Sequence, residues 1–182
     1  MKRIIVLLLL TSFSSIIAQE TKTKMGRPIL EDFGQVFQIE NPDLNLDKDT
    51  IYKVIFDIYT DSSKKEGSIN PLLNTVARYL NMHAQHGVPA ANMKVVIVLH
   101  GAPTKSVLNA TAYEKKYNIK NPNTELINAL EKVGVELYVC GQSYLANGFE
   151  IKDKSDAVKL SLSALTALVK FQNEGYQLIT FN

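Results

Sequence analysis

Cys140 is the residue of this chain best suited to nucleophilic chemistry. It ends an apolar run, Val135 to Val139, and precedes Gly141, Gln142 and Ser143. A thiolate is the reactive form of cysteine, and backbone N–H groups at such a turn would stabilise it. A cysteine in a strand can equally be a small, inert core residue. The residue types alone leave both interpretations open.

A histidine follows a second apolar run and makes a candidate partner for the thiol. His100 comes directly after Met93 to Leu99 and precedes Gly101. It could supply a positive charge or a proton to the sulfur, or simply cap the strand end with a hydrogen bond. Glycine after each strand allows a sharp turn and a close approach to a ligand. The candidate site therefore has catalytic positions Cys140 and His100, with ligand-binding positions Gly101, Gly141, Gln142, Ser143 and Asn74.

The few histidines and cysteines of the chain, and its lack of phosphate-binding motifs, argue against a metal or an organic cofactor. His83 and His86 are three residues apart, but the chain has three histidines and one cysteine in all, too few to complete a zinc site. Histidine near a helix C-terminus is favoured by the helix dipole alone. No dinucleotide fingerprint or P-loop is present. We expect no metal and no cofactor, and a single cysteine allows no internal disulfide.

Alternating strands and helices would position these residues. The apolar runs that predict strands are Tyr52–Tyr59, Met93–Leu99, Val135–Val139 and Tyr176–Phe181. Helices are predicted to start at Asn70-Pro71 and at Asn121-Pro122, and a third to run from about Ser155 to Phe171, with loops over 102–120 and 141–154. This order predicts an α/β domain in which right-handed crossovers join parallel strands. Ligands bind at the carboxyl ends of such strands, so His100 and Cys140 should share one edge.

The N-terminus predicts export. Lys2 and Arg3 precede the apolar run Ile4 to Leu10, and the small residue Ala18 follows, which is the order of a secretory signal peptide. The alternative is a short buried helix. The apolar run is too short to span a bilayer, and no later segment comes close to the length of about 20 residues that a span needs. We therefore expect no membrane insertion of the mature chain and a soluble periplasmic or secreted protein. The predicted divisions are 1–18 signal peptide, 19–50 N-terminal arm with a short edge strand near Gln35–Ile39, and 51–182 α/β domain.

The charge of the chain argues against nucleic acid and anionic membranes as partners. The chain has 20 basic and 18 acidic residues, and loss of Lys2 and Arg3 with the signal peptide leaves 18 of each. A neutral chain without a long basic run has no footprint for nucleic acid or for an anionic membrane.

Several motifs together resemble a known family. They are the run Lys94–Ala102 with its His-Gly pair, Asn121-Pro122 before a helix that ends at Gly134-Val135, Val139-Cys140-Gly141-Gln142-Ser143, Ser163-Ala164-Leu165 and Gly175-Tyr176. In these the chain resembles the DsrE/DsrF-like superfamily of sulfur-handling proteins. The resemblance implies a three-layer α/β/α sandwich with a mainly parallel sheet of four to five strands, assembly into oligomers, and a persulfide on Cys140. His100 matches a second motif position. The best-known members are cytoplasmic and use dedicated partner subunits, whereas this chain carries an export signal.

Two functions follow as hypotheses. The first is an exported sulfur carrier or sulfurtransferase-like protein that forms a persulfide on Cys140, with an unidentified sulfur donor and acceptor and no cofactor. Its thiol should react in the folded protein and have a pKa below that of free cysteine. The alternative is a non-catalytic oligomeric module that binds a small ligand, with Cys140 as part of the pocket wall.

The helix predicted over 155–171 indicates a homo-oligomer. It is apolar on two faces, one formed by Leu162, Leu165, Leu168 and Val169, the other by Leu160, Ala164, Ala167 and Phe171. An outer helix covers a sheet with one face, so the second would be covered by another subunit. Alternatively, the N-terminal arm could cover it within the same chain, through Phe33, Val36, Phe37 and Ile39.

Overall fold

The structure, a computed structural model, describes residues 24–63 and 67–181. The predicted signal peptide, residues 1–18, lies outside them. The strands are β1 (Met25–Gly26), β2 (Val36–Phe37), β3 (Tyr52–Ile58), β4 (Met93–Leu99), β5 (Glu136–Cys140), β6 (Lys159–Ser161) and β7 (Gln177–Thr180). The α-helices are α1 (Pro71–Gln85), α2 (Ala110–Tyr117), α3 (Thr124–Lys132), α4 (Gly141–Ala146) and α5 (Ala164–Asn173). Short 3₁₀ helices cover Ala90–Asn92, Ala102–Val107 and Ile151–Asp153.

Five parallel strands form the central sheet, in the order β6-β5-β4-β3-β7. Ile58 of β3 pairs with Leu99 of β4, and Leu99 pairs with Val139 of β5. The carboxyl ends of the three central strands are therefore level. These strands read as near-continuous apolar runs because helices cover both of their faces. The predicted three-layer α/β/α fold is confirmed.

One face of the sheet carries the larger core. Helices α1 and α3 pack their buried leucines, including Leu73, Leu80 and Leu126, against the alternate residues Phe56 and Ile97 of the central strands. Helix α1 starts as predicted, because the Asn70 side chain accepts a hydrogen bond from Leu72 N at 2.9 Å and Pro71 occupies the first helical turn.

The N-terminal arm closes over the same face. The side chain of Asn81, fully buried on α1, accepts hydrogen bonds from Ile29 N and Leu30 N at 2.9 and 3.0 Å. It donates to the carbonyl oxygens of Phe33 and Gly34 at 2.9 and 3.0 Å. The predicted edge strand near Gln35–Ile39 is the short β2, which pairs antiparallel with β1 in a separate two-stranded sheet. The arm therefore covers α1, and the alternative in which it covers the apolar face of the last helix is wrong.

The helix predicted over 155–171 is also wrong in its first half. Lys159–Ser161 is the edge strand β6, which pairs with β5, and Lys159 Nζ lies 2.8 Å from Glu136 Oε2 across that pair. The helix begins only at Ala164, because the Ser163 side chain caps it by accepting from Thr166 N at 3.0 Å. Leu160 is consequently a strand residue.

Two further corrections concern segments around α3. Asn121 does not open that helix: its side-chain amide donates to Ser106 O and Leu108 O at 2.9 and 2.8 Å, so the helix starts later, at Thr124. The segments 102–120 and 141–154, predicted as loops, hold α2, α4 and the two later 3₁₀ helices. Within the described ranges, no helix is long and apolar enough to cross a membrane.

Candidate functional site

The candidate site lies on the face of the sheet that α5 covers. Ile55, Val96, Val98 and Cys140 form a small apolar cluster with Ala164, Ala167 and Phe171 of this helix. Side chains alternate between the two faces along a strand. The α5 face of the three central strands therefore ends in Asp57, His100 and Cys140, one from each strand or its first following residue.

Cys140 lies where the N-termini of two helices meet. It is the N-cap of α4, and its Sγ accepts a hydrogen bond from Ser143 N at 3.4 Å. Burial raises the pKa of the thiol, but hydrogen bonds from the Ser143 side chain and from the backbone N–H groups of Ser143, Ala164 and Gln142 outweigh it and hold the pKa below its usual value. Helix N-termini stabilise a negative charge, so this position favours the thiolate more than the environment of a free cysteine does.

The thiol is also well shielded from solvent. Only 4 % of Cys140 is exposed, because α5 and the edge strand β6 pack over it. Gly141 makes this packing close: a Cβ at this position would lie 2.8 Å from Ser161 O. A side chain here would therefore push β6 away from the sulfur. The thiol can meet a reagent only where this cover opens.

His100 is held by a carboxylate. Its Nε2 lies 2.7 Å from Asp57 Oδ1, and the two side chains are 28 % and 14 % exposed. Its backbone continues the ladder, since His100 N donates to Ile58 O at 3.0 Å. In the register that pairs Leu99 with Val139, His100 is the residue directly after β4, and Cys140 is the next residue of β5. Neighbouring strands are about 4.8 Å apart, so the backbones of His100 and Cys140 lie next to each other at this edge of the sheet.

Sequence reasoning missed Asp57. The available signal was an acidic residue inside the otherwise apolar stretch Val54 to Ile58. A buried carboxylate needs a partner, which makes such a residue informative. Its partner could not be identified before the order of the strands was known.

The loop after β4 is fixed to the end of α4. Gly101 has φ +62°, and a Cβ there would lie 3.0 Å from Tyr59 O, so this turn requires glycine. Its carbonyl oxygen accepts from Thr104 Oγ1 at 2.8 Å and from Asn147 Nδ2 at 3.0 Å. Asn147 also donates to Thr104 Oγ1 at 2.8 Å. These bonds hold the turn after His100 against the helix that Cys140 caps.

The remaining predicted positions divide into two groups. Gln142 is exposed and Ser143 partly buried, both on α4 directly after the thiol. Asn74 lies on α1, on the opposite face of the sheet, where its side-chain oxygen accepts from Gly34 N at 2.9 Å. The structure thus brings together the predicted site residues except Asn74.

The histidines of α1 make local backbone contacts. His83 Nδ1 lies 2.8 Å from Tyr79 O, and His86 Nδ1 lies 3.0 Å from Met82 O. His86 Nε2 also lies 2.9 Å from Ile39 O in the arm. Burial lowers the pKa of His83. Among the described residues, no three His, Cys, Asp or Glu side chains gather as a metal site would require.

Comparison with known proteins agrees with this fold. Residues 53–181 match the model of the DsrE/DsrF-like family. Two solved structures are similar: protein of unknown function MTH1491 from Methanobacterium thermoautotrophicum, with 18% identity and a TM-score of 0.53, and the YchN protein from E. coli, with 15% identity and a TM-score of 0.52. Each alignment covers 71% of this chain and 99% of the other. No curated protein matches the chain. The family model spans most of the sequence, and the chain belongs to the DsrE/DsrF-like family.

Proposed function

We propose that this protein is an exported sulfur carrier, or sulfurtransferase-like protein, that holds sulfane sulfur as a persulfide on Cys140. The observation that carries the proposal is the position of Cys140 Sγ, where N–H groups of two helix N-termini hold the pKa of the thiol low. Its family, known for sulfur relay, supports the same chemistry.

The proposed loading step needs only the thiolate and a sulfur donor. Cys140 Sγ attacks the sulfane sulfur of a polysulfide or of thiosulfate, forming a new S–S bond. The donor's own bond to that sulfur breaks, and the electron pair leaves with the rest of the donor, as sulfite in the case of thiosulfate. The N–H groups that stabilise the thiolate then face the inner sulfur. The cover that leaves Cys140 only 4 % exposed would shield the persulfide from bulk solvent until this cover opens.

Intact mass spectrometry tests this proposal. The purified protein is incubated with polysulfide or with thiosulfate, and the excess is removed. We expect a gain of one sulfur atom that a reductant reverses, and no gain in Cys140→Ser. A wild type that gains no sulfur from either donor would contradict the proposal.

The burial of Cys140 favours a second candidate function. A cysteine packed in an apolar cluster with Ile55 and Ala167 can be an unreactive residue that lines a pocket. The same edge of the sheet would then bind a small ligand without catalysing a reaction. Ligand binding unchanged by Cys140→Ser, together with no sulfur uptake by the wild type, would favour this non-catalytic module.

We further propose that the protein acts as a homo-oligomer through α5 and the residues before it. Leu162 and Leu165 are 72 % and 78 % exposed, and Val169 is exposed beside them. The N-terminal arm packs on the other face and leaves this apolar surface uncovered. Ala164 N, which bonds to the Cys140 sulfur, lies between the two leucines in sequence, so a second subunit bound here would sit next to the thiol.

Export is the remaining part of the proposal. If residues 1–18 are a signal peptide, protein recovered from the periplasm or the medium should begin at Gln19, and mutation of the apolar run Ile4 to Leu10 should retain an uncleaved chain in the cytoplasm. N-terminal sequencing and intact mass of each fraction measure this. An exported chain that still begins at Met1 would contradict the cleavage site.

A further inference from the structure

We propose that Asp57 is a positioning residue for His100, and that His100 protonates the outer sulfur of a persulfide on Cys140 so that an acceptor thiolate can remove it. This inference rests on the proposed sulfur-carrier function and assigns the release step, which Cys140 cannot perform alone. It concerns an acidic residue that sequence reasoning did not single out.

The placement of the three residues carries the inference. Asp57 is on β3, His100 directly follows β4 and Cys140 ends β5, so the three residues lie on the same face at the same edge of the sheet. Asp57 Oδ1 and His100 Nε2 are 2.7 Å apart. Asp57 is only 14 % exposed, so water competes little for its oxygen. The carboxylate is therefore a fixed acceptor for the imidazole.

This contact decides which ring nitrogen can exchange a proton with a substrate. An ionised carboxylate only accepts hydrogen bonds, so in the proposed mechanism His100 Nε2 donates the hydrogen of this contact. The proton that His100 gains or loses is then the one on Nδ1. A fixed tautomer and ring orientation is what a positioned carboxylate supplies to a histidine that handles protons.

Groups other than His100 favour ionisation of the sulfur. The pKa of Cys140 is raised by burial and lowered, with a net lowering, by hydrogen bonds from Ser143, Ala164 and Gln142. These donors are available before any sulfur arrives. His100 is thus free for a step that the N–H groups cannot perform, because backbone amides can stabilise a negative sulfur but cannot protonate it.

Release of sulfur needs such a proton. The outer sulfur of Cys140–S–S⁻ is negatively charged and repels an acceptor thiolate. Transfer of the Nδ1 proton from the imidazolium gives Cys140–S–SH and neutral His100. The acceptor thiolate attacks the outer sulfur, a new S–S bond forms, and the bond to Cys140 Sγ breaks with its electron pair left on Sγ. The products are an acceptor persulfide, which carries the proton, and the Cys140 thiolate; His100 is reprotonated by water.

The alternative role for this pair is structural, as a contact that holds β3 to β4. The two roles differ in what they affect. A structural contact would change folding, loading and release together. A proton-handling pair would affect release far more than loading, and its two members would act as one unit.

Separate measurement of loading and release tests the inference. Wild type and variants are loaded with polysulfide, freed of excess donor and mixed with a small thiol such as glutathione, and loss of the added sulfur is followed by intact mass. For each variant, the fall in the release rate is compared with the fall in the loading rate. We expect the release rate to fall further than the loading rate by about 100-fold in His100→Ala and by about tenfold in Asp57→Asn. In the His100→Ala background, Asp57→Asn should have no further effect, and added imidazole should restore part of the release rate. Asp43→Asn, at an exposed acidic position in the arm, is the matched control.

The possible failures are distinguishable. A wild type that does not load overturns the proposed function itself. A wild type that loads, with release unchanged in Asp57→Asn and His100→Ala, leaves the carrier function intact and overturns this inference. Additive effects of the two substitutions would also overturn it, because they would show independent structural roles. If Asp57→Asn unfolds, Asp57→Ala and the imidazole rescue of His100→Ala can still distinguish a proton-handling role from a structural one.

Discussion

The two faces of the central sheet are built for different purposes. One is covered by α1 and α3 and by the N-terminal arm, and its core extends across the sheet. The other is covered by α5, a helix of 10 residues, over a small cluster that includes Cys140. On the first face, even the polar residue Asn81 is buried with its hydrogen bonds made. On the second, leucines remain exposed, and Asp57, His100 and Cys140 lie at the carboxyl ends of three neighbouring strands.

This difference would let the protein hold the proposed reactive thiol without losing its stability. The extensive face supplies the buried apolar area that drives folding. The lightly covered face can then tolerate a buried thiol whose pKa is lowered, and it can open locally to admit a reagent, since local opening costs less where few apolar contacts are lost. Substitutions on the two faces should accordingly have separable effects.

The largest expected effect on stability is on the extensive face. Leu73→Ala removes a fully buried side chain from α1 and should lower the free energy of unfolding by about 3 kcal/mol. Leu165→Ala, on α5, removes a side chain that is 78 % exposed and should change it by less than about 0.5 kcal/mol in dilute solution. Denaturant unfolding measures both. Equal losses would show that the faces do not differ as described.

Release of the arm should have the next largest effect. Asn81→Ala leaves backbone groups of the segment 29–34 without partners and should lower the free energy of unfolding by about 2 kcal/mol. Asn128→Ala, at an exposed position on α3, is the control. The rate at which Cys140 is alkylated should stay near that of the wild type. A rate that rises in proportion to the lost stability would mean that the thiol is reached only by global unfolding.

A charge on the exposed apolar surface should affect assembly rather than folding. Leu165→Glu would bury an unpaired carboxylate in a subunit contact and weaken association by at least about tenfold. Thr166→Glu adds the same charge to the next residue of the same helix, which points about 100° away. Sedimentation velocity at micromolar concentration distinguishes them. A monomeric wild type, or equal loss of assembly in both variants, would contradict the proposal that α5 forms the subunit interface.

The smallest effect concerns the thiol itself. Loss of the Ser143 hydroxyl in Ser143→Ala should raise the pKa of Cys140, because one hydrogen bond to the sulfur disappears while the backbone N–H groups remain. The alkylation rate rises as pH passes the thiol pKa, so the rise should occur at higher pH in this variant than in the wild type. Ser161→Ala, whose hydroxyl donates to Val139 O and Ser163 O, is the control. A folded wild type that resists labelling at all pH values would restore the inert interpretation of Cys140.

The parts of the fold that sequence could predict are those with local causes. Strands β3 and β4 are apolar runs with flanking turns, and Asn70-Pro71 caps and starts α1 through contacts within a few residues. The edge strand β6 has no such cause: its three residues become a strand because β5 lies beside them. Their apolar and basic residues fit a helix equally well, so the helix predicted there extended too far.

The site shows the same limit. Cys140 and His100 could be placed together because each ends an apolar run before a glycine. Asp57 could not be added, since its partnership depends on β3 and β4 being neighbours, and strand order is decided by packing across the whole chain. The hydrogen bond from Ala164 N to the Cys140 sulfur could not be predicted either, because the position of Ala164 next to Cys140 follows from where α5 begins.

The sheet order also governs when the domain can finish folding. The first strand of the central sheet, β3, has β4 on one side and β7, the last strand of the chain, on the other, with Asp57 paired to Thr180. Such long-range parallel pairing forms slowly, because the intervening chain must first be ordered. Until β7 emerges, β3 presents an open apolar edge that can pair with other chains. A chain that crosses a membrane N-terminus first would therefore remain unfolded through most of its passage, and truncation before β7 should yield aggregates rather than a smaller domain.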